Sequence, residues 1–170
     1  MPVSRLDALA ATPEIIRLLM EGLAPEDAAW KPAPDRWSIA EVLEHLSHIE
    51  GHCFRARLER MLSEDDPELP VYDQEAFNAA AQYSGRDPEE SFAHFEEQRE
   101  DNVAVLRGLE ARHLKRAGRH AAAGRITIAN LLAQWVFHDL GHIRQIAELV
   151  RARRDYPELG PFAAFYSVQP

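Results

Sequence analysis

The 170-residue sequence has one cysteine, no long apolar run and fewer basic than acidic residues. Cys53 has no partner for an internal disulfide, and one thiol cannot build a multi-thiolate metal site. No stretch of 18 uncharged apolar residues is present, which excludes a transmembrane helix. The 19 Lys and Arg residues stand against 28 Asp and Glu residues, a formal net charge of −9. This balance disfavours nucleic acids and anionic membrane surfaces as partners, because both require a basic face.

The beginning of the chain also lacks the basic-then-apolar layout of a secretory signal peptide. We therefore expect a cytoplasmic protein. Apolar residues make up 46% of the sequence and charged residues 28%, which is an ordinary composition for a globular chain. The length suits one domain, so we predict a single domain over residues 1–170.

Apolar residues recur at helical spacing, and no segment alternates over the length of a strand. The pattern therefore predicts an all-α protein. Ser38 and Glu41 form a capping-box pattern, Asp87 precedes a proline, and Thr127 caps the last helix. Thr12-Pro13 predicts a kink or a second start in the first helix. The long helices are predicted at about residues 3–22, 38–63, 87–108 and 127–154, with short pieces near 74–82 and 109–116. Four long helices joined by turns predict a four-helix bundle.

Several of the eight histidines lie on the predicted helices at spacings that bring them to a common side. His138 and His142 are four residues apart, so both project from one face of the last helix. His142 falls inside the apolar stripe of that helix, and His138 falls at its edge. On the second helix, His45 flanks the apolar stripe, His52 lies slightly farther round, and His48 lies nearly opposite. Helical geometry alone separates His45 from His52 only narrowly.

Three imidazoles drawn from two helices predict a divalent metal site with an open coordination position. The candidate ligands are His45, His138 and His142, and imidazole nitrogens suit zinc or nickel. Asp139 also falls in the apolar stripe, and we expect it to orient a ligand imidazole through the second ring nitrogen. Metal occupancy should fall below about pH 6, because ligand imidazoles must be neutral.

A simpler interpretation stays open, because a histidine pair four residues apart is common by chance. The histidines would then be core residues that hydrogen-bond to carbonyl or carboxylate groups. Trp135 is expected to be a core residue rather than a substrate contact. Cys53 is expected to pack as a small apolar side chain.

Two segments resemble the signatures of the DinB-like superfamily. Their sequences are WSIAEVLEHL at residues 37–46, and GRITIANLL followed by HDLGHIRQI at residues 124–132 and 138–146. The resemblance implies an up-up-down-down four-helix bundle, often dimeric, in which His45, His138 and His142 hold a divalent metal. Members include metal-dependent hydrolases and transferases that act with low-molecular-weight thiols.

Three functions are therefore open. The first is a metal-dependent hydrolase or thiol transferase that acts on a small molecule and forms a homodimer. The second is a bundle that binds metal or a small ligand without turnover, and the third is a structural dimer whose histidines are core residues. The sequence names no second catalytic group that would separate the first two.

Overall fold

The computed structural model describes residues 4–72 and 87–170. A π-helical segment, Glu50–Arg55, joins the helices Ile39–Ile49 and Ala56–Ser63 without a break, and a second, Arg151–Asp155, extends the helix Ile128–Val150. The predicted short helix at 74–82 lies outside the described residues. The α-helices are α1 Arg5–Met20, α2 Pro25–Ala28, α3 Ile39–Ile49, α4 Ala56–Ser63, α5 Pro88–Arg107 and α6 Ile128–Val150.

The predicted helix starts are confirmed at three of the four long helices. Ser38 accepts a hydrogen bond from the amide of Glu41, whose carboxylate accepts from the amide of Ser38. Thr127 begins α6 in the same reciprocal way with Asn130, and Asp87 caps α5. Of the two alternatives predicted at Thr12-Pro13, the second start is wrong, because α1 begins after Ser4 and continues through Pro13. The kink stays a prediction.

A short β-hairpin adds to the predicted helical fold. Strands β1, Ala117–His120, and β2, Gly124–Thr127, pair in antiparallel register between α5 and α6. Gly124 begins β2 with φ at +70°, a conformation that favours glycine. Strands of four residues are too short to show the alternation that predicts a strand from sequence. Of the predicted helical piece at 109–116, the structure retains a 3₁₀ turn at His113–Lys115.

The bundle has two clusters of buried apolar side chains, one toward each end. The first contains Leu9, Ile49, Cys53, Phe54, Leu58, Met61, Leu69, Val103, Leu106, Ile128, Leu131 and Trp135. The second contains Ile16, Ile39, Val42, Leu43, Leu46, Phe92, Phe95, Ile146, Leu149 and Val150. No helix among the described residues is sufficiently long and apolar to span a membrane.

These clusters give the direction of each helix. Helices α1 and α6 run from the first cluster to the second, whereas the α3–α4 rod and α5 run from the second to the first. The four-helix bundle is thus confirmed, but its order is up-down-down-up rather than the expected up-up-down-down. The observed order requires the chain to cross the length of the bundle once, between α4 and α5. The expected order would have required two such crossings.

Candidate metal centre

The three predicted ligands come together between α3 and α6. Nε2 of His138 lies 3.2 Å from Nε2 of His45 and 3.2 Å from Nε2 of His142. One ring nitrogen from each histidine lies within 4.8 Å of the other two. His48 and His52 instead stack on each other with ring centroids 4.1 Å apart, and His52 is exposed. The structure therefore places His45, and not His52, beside the histidine pair of α6.

Helix geometry explains this convergence. His138 and His142 are one turn apart on α6, and His45 is buried on the face of α3 that carries Val42 and Leu46. The ring of His45 meets both imidazoles of α6, with centroids 5.3 Å from His138 and 4.9 Å from His142.

Aromatic side chains surround the histidines. The ring of Trp37 lies edge-on to the ring of His45, with centroids 5.1 Å apart, and nearly parallel to the ring of His142, with centroids 6.5 Å apart. Phe54 presents its edge to His138 at 5.4 Å, and Tyr72 lies 6.3 Å from His45. These rings limit the rotation of the imidazoles and reduce their contact with water.

Burial lowers the pKa of all three imidazoles. The pKa of His45 falls to about 2, through burial and then the neighbouring His142 and His138. Burial lowers the pKa of His138 to about 3, with further contributions from His142 and Arg99. The pKa of His142 is also lowered by burial, although its hydrogen bond to Gln145 acts in the opposite direction. The three rings are therefore neutral at neutral pH, as metal ligands must be.

Gln145 supplies the orienting contact that the sequence assigned to Asp139. Its Oε1 lies 2.9 Å from Nδ1 of His142. Because this oxygen only accepts, Nδ1 of His142 carries the proton and Nε2 is bare toward the other two histidines. A glutamine three residues after His142 faces the same side of the helix, so helical spacing offered a signal for it.

Asp139 makes other contacts. Its carboxylate accepts two hydrogen bonds from Arg99, at 2.6 and 3.0 Å, and one from Oγ1 of Thr12 at 2.8 Å. Nδ1 of His45 and Nδ1 of His138 are buried without a hydrogen-bond partner in the described part of the chain. The expectation that Asp139 orients an imidazole is therefore corrected: it pairs with a buried arginine on α5.

The remaining sequence candidates lie outside the cluster. Trp135 is fully buried, as predicted for a core residue. Cys53 is also buried, and burial raises the pKa of its thiol to about 11. Two further histidines also lie outside the cluster: His94 contacts the hydroxyl of Ser47 at 2.9 Å, and His120 accepts from two backbone amides after β1.

The donor set fits a divalent ion. Three neutral imidazoles direct nitrogens at one point, and no carboxylate joins them within the described residues. Such a set suits borderline ions such as zinc or nickel, and three protein ligands leave room for a fourth.

The fold and the site define a helical bundle with a candidate three-histidine metal centre. The chain belongs to the DinB superfamily, whose sequence profile matches residues 8–146.

Two curated relatives and one solved structure are similar to this chain. The Bacillus subtilis protein "Putative metal-dependent hydrolase YfiT" is 31% identical over 118 residues, covering 68% of this chain and 65% of YfiT, slightly under two thirds of its length. The Oceanobacillus iheyensis protein "Putative metal-dependent hydrolase OB0782" is 25% identical over 122 residues, covering 71% of this chain and 68% of that protein.

The solved structure of Bacillus subtilis YfiT is described as "a probable metal-dependent hydrolase with an unusual four-helix bundle topology". It matches with a TM-score of 0.79 and 26% identity, covering 87% of this chain and 85% of that chain. The agreement in fold extends over most of both chains.

Proposed function

We propose that the protein is a metal-dependent hydrolase of small molecules that uses a zinc or nickel ion held by His45, His138 and His142. The observation that supports this most directly is the convergence of the three Nε2 atoms, with 3.2 Å contacts from His138 to each partner. The names of the two curated relatives support the same reaction class.

A divalent ion bound here would lower the pKa of a water molecule in its open position and so supply a nucleophile near neutral pH. The protein contributes neutral imidazoles, since burial lowers the pKa of all three. Gln145 holds His142 with Nε2 toward the centre. Trp37 and Phe54 pack beside the ligand rings and keep their orientation.

Metal binding is tested on purified protein stripped with a chelator. Zinc and nickel titrations should show one site per chain in the wild type and loss of that site in His142→Ala. His52→Ala removes an exposed histidine from the neighbouring π segment and serves as the control. Equal uptake by the wild type and His142→Ala would refute the metal centre and leave the histidines as core residues.

Hydrolysis is tested with three chromogenic probes: the ester p-nitrophenyl acetate, the amide p-nitroacetanilide and the phosphate monoester p-nitrophenyl phosphate. Turnover of at least one probe should require added metal and should be lost in His142→Ala. A protein that binds zinc through the three histidines but turns over none of the probes would support a non-catalytic binding function instead. Homodimerisation stays a prediction. Light scattering on the protein as it elutes from a size-exclusion column measures the mass of the assembly and tests it.

A further inference from the structure

A buried ionic network lies beside the histidine cluster and links all four long helical elements of the bundle. At its centre lies the guanidinium of Arg99 on α5, a residue that is 1% exposed. It donates to Glu50 at 2.7 and 2.9 Å, to Asp139 at 2.6 and 3.0 Å, and to the carbonyl of Leu9 at 2.9 Å. These five hydrogen bonds use all five N–H donors of an arginine.

Three features that are unfavourable in ordinary helices meet at this guanidinium. Pro13 interrupts the hydrogen bonding of α1 and leaves the carbonyl of Leu9 without its helical donor. Glu50 is the first residue of the π-helical segment, and such segments are rare and frequent at functional sites. Arg99, Glu50 and Asp139 are all buried charges. Apolar side chains of similar volume would often stabilise a core as well as a buried ion pair does.

The network determines how α6 is rotated about its axis. Successive side chains on an α-helix point about 100° apart. Asp139 is directed at Arg99, so His138, one residue before it, and His142, three residues after it, both point toward the side where α3 lies. A small rotation of α6 would move both imidazoles together, away from His45.

The same network also holds the α3 side of the centre. Glu50 lies five residues after His45 on the continuous α3–α4 rod, and it accepts from the indole N–H of Trp135 at 3.0 Å. Trp135 stacks on Phe54 with centroids 4.6 Å apart, and Phe54 contacts the ring of His138. One guanidinium thus orients both helices that carry the candidate ligands.

We propose that Arg99 is the positioning residue of the three-histidine centre, acting through Glu50 and Asp139 to set the rotation of α3 and α6. The proposal rests on the proposed metal-binding function. It assigns to this network the role of fixing ligand geometry, separate from a contribution to stability.

The decisive variant removes the three buried charges together. It combines Arg99→Met and Asp139→Leu with Glu50→Gln, which keeps one oxygen for the indole N–H of Trp135. Asn102, whose amide donates to the other oxygen of Glu50 at 3.0 Å, keeps its hydrogen bond from Arg55. Pro13→Ala restores an amide donor for the carbonyl of Leu9. Thr12 retains its contact to the carbonyl of Ala8.

We expect this fourfold variant to fold and to bind zinc at least about tenfold more weakly, the lower end of the effect of removing groups that support metal ligands. The visible spectrum of the cobalt-substituted protein should change in band position and intensity. Leu106→Ala is the control, because it opens a cavity in the first core cluster without touching the network, and it should keep the zinc affinity and the cobalt spectrum of the wild type.

Wild-type affinity and an unchanged cobalt spectrum in the folded fourfold variant would overturn the proposal. If that variant does not fold, Asp139→Asn takes its place as the test. This substitution replaces one acceptor with a donor that faces Arg99, so zinc binding should weaken several-fold, and wild-type affinity would overturn the proposal. A crystal structure of either variant provides a readout without metal: Nε2 atoms of the three histidines should separate beyond 4.8 Å. If the wild type binds no metal, the proposed function fails, while this structural comparison still tests the positioning.

Discussion

Arg99 donates to the carbonyl oxygen of Leu9 at 2.9 Å. In an uninterrupted helix this carbonyl would accept a hydrogen bond from the amide of residue 13. Residue 13 is a proline, which has no amide hydrogen. The helix nevertheless continues from Arg5 to Met20. A buried guanidinium on another helix therefore replaces the missing backbone donor.

This relationship predicts an unusual response to Pro13→Ala. Alanine in place of an interior helical proline ordinarily stabilises by about 3 kcal/mol. Here we expect a gain below about 1 kcal/mol, because the carbonyl is already bonded and alanine leaves the unfolded chain less restricted. Urea unfolding of the two proteins measures the difference. In an Arg99→Met background, Leu9 has lost the guanidinium donor and the amide restored at position 13 replaces it, so Pro13→Ala should raise the free energy of unfolding by more than it does in the wild type. Equal increases in both backgrounds would show that the two donors act independently.

Gln145 gives a second prediction, about the tautomer of His142. Gln145→Leu removes the acceptor for Nδ1 and should weaken zinc binding about tenfold, as the loss of such an orienting group commonly does. Gln145→Glu keeps an acceptor and should bind zinc at least as tightly as the wild type. Competition with a chromogenic chelator measures both affinities. Gln134→Leu, an exposed change on the same helix, is the control, and a loss there equal to that of Gln145→Leu would contradict the assignment.

The sequence was sufficient for the bundle because the bundle depends on periodicity within single helices, whereas the same periodicity separated His45 from His52 only narrowly. The apolar stripes of α3 and α6 indicated which sides face inward, and His45, His138 and His142 lie on or beside them. Periodicity shows where a side chain points but not which residue of another helix it will meet. Asp139 was correctly placed inside the bundle, yet its partner was assigned to the wrong residue for this reason.

Arg99 could not be recognised from its neighbours. It lies in a segment that contains Glu96, Glu97 and Glu100, which resembles a solvated face, and only the packing of four helices makes that position interior. The order of helix directions was likewise hidden, because it depends on which connection crosses the bundle.

Cys53 provides a third prediction. Its thiol is 3% exposed, and burial raises its pKa to about 11, so the reactive thiolate is scarce at pH 8. A thiol reagent such as dithionitrobenzoate should label the native protein slowly and the urea-unfolded protein at once. Cys53→Ala should retain zinc binding and hydrolysis. Rapid labelling of the native protein would contradict this prediction and show a reactive thiol at Cys53.

The lowered histidine pKa values predict that the metal-free protein loses stability in mild acid. For His45 and His138 the folded-state pKa lies at about 2 and about 3, below the ordinary histidine value of 6.5. Between these values the unfolded state binds more protons, so stability is full above about pH 6.5 and falls as the pH decreases. Each histidine should contribute a slope of about 1.4 kcal/mol per pH unit well below pH 6.5. Urea unfolding in the presence of a chelator from pH 7.5 to 5 measures how the free energy of unfolding changes with pH. The double variant His45→Asn with His138→Asn should show a pH dependence that is smaller by the two histidine contributions.

The same shifts change the expected pH dependence of metal binding. With unperturbed imidazoles, protons would compete for the ligand nitrogens below about pH 6. Because burial lowers the pKa of His45, His138 and His142, this competition should begin at a lower pH. Zinc affinity, corrected for the pH dependence of the competing chelator, should therefore change less than about twofold between pH 7 and pH 6, since protons that bind below this range compete little within it. A fall of about threefold or more in this range would show that at least one ligand titrates as an ordinary histidine, because one imidazole with a pKa of about 6.5 gives a change of about threefold.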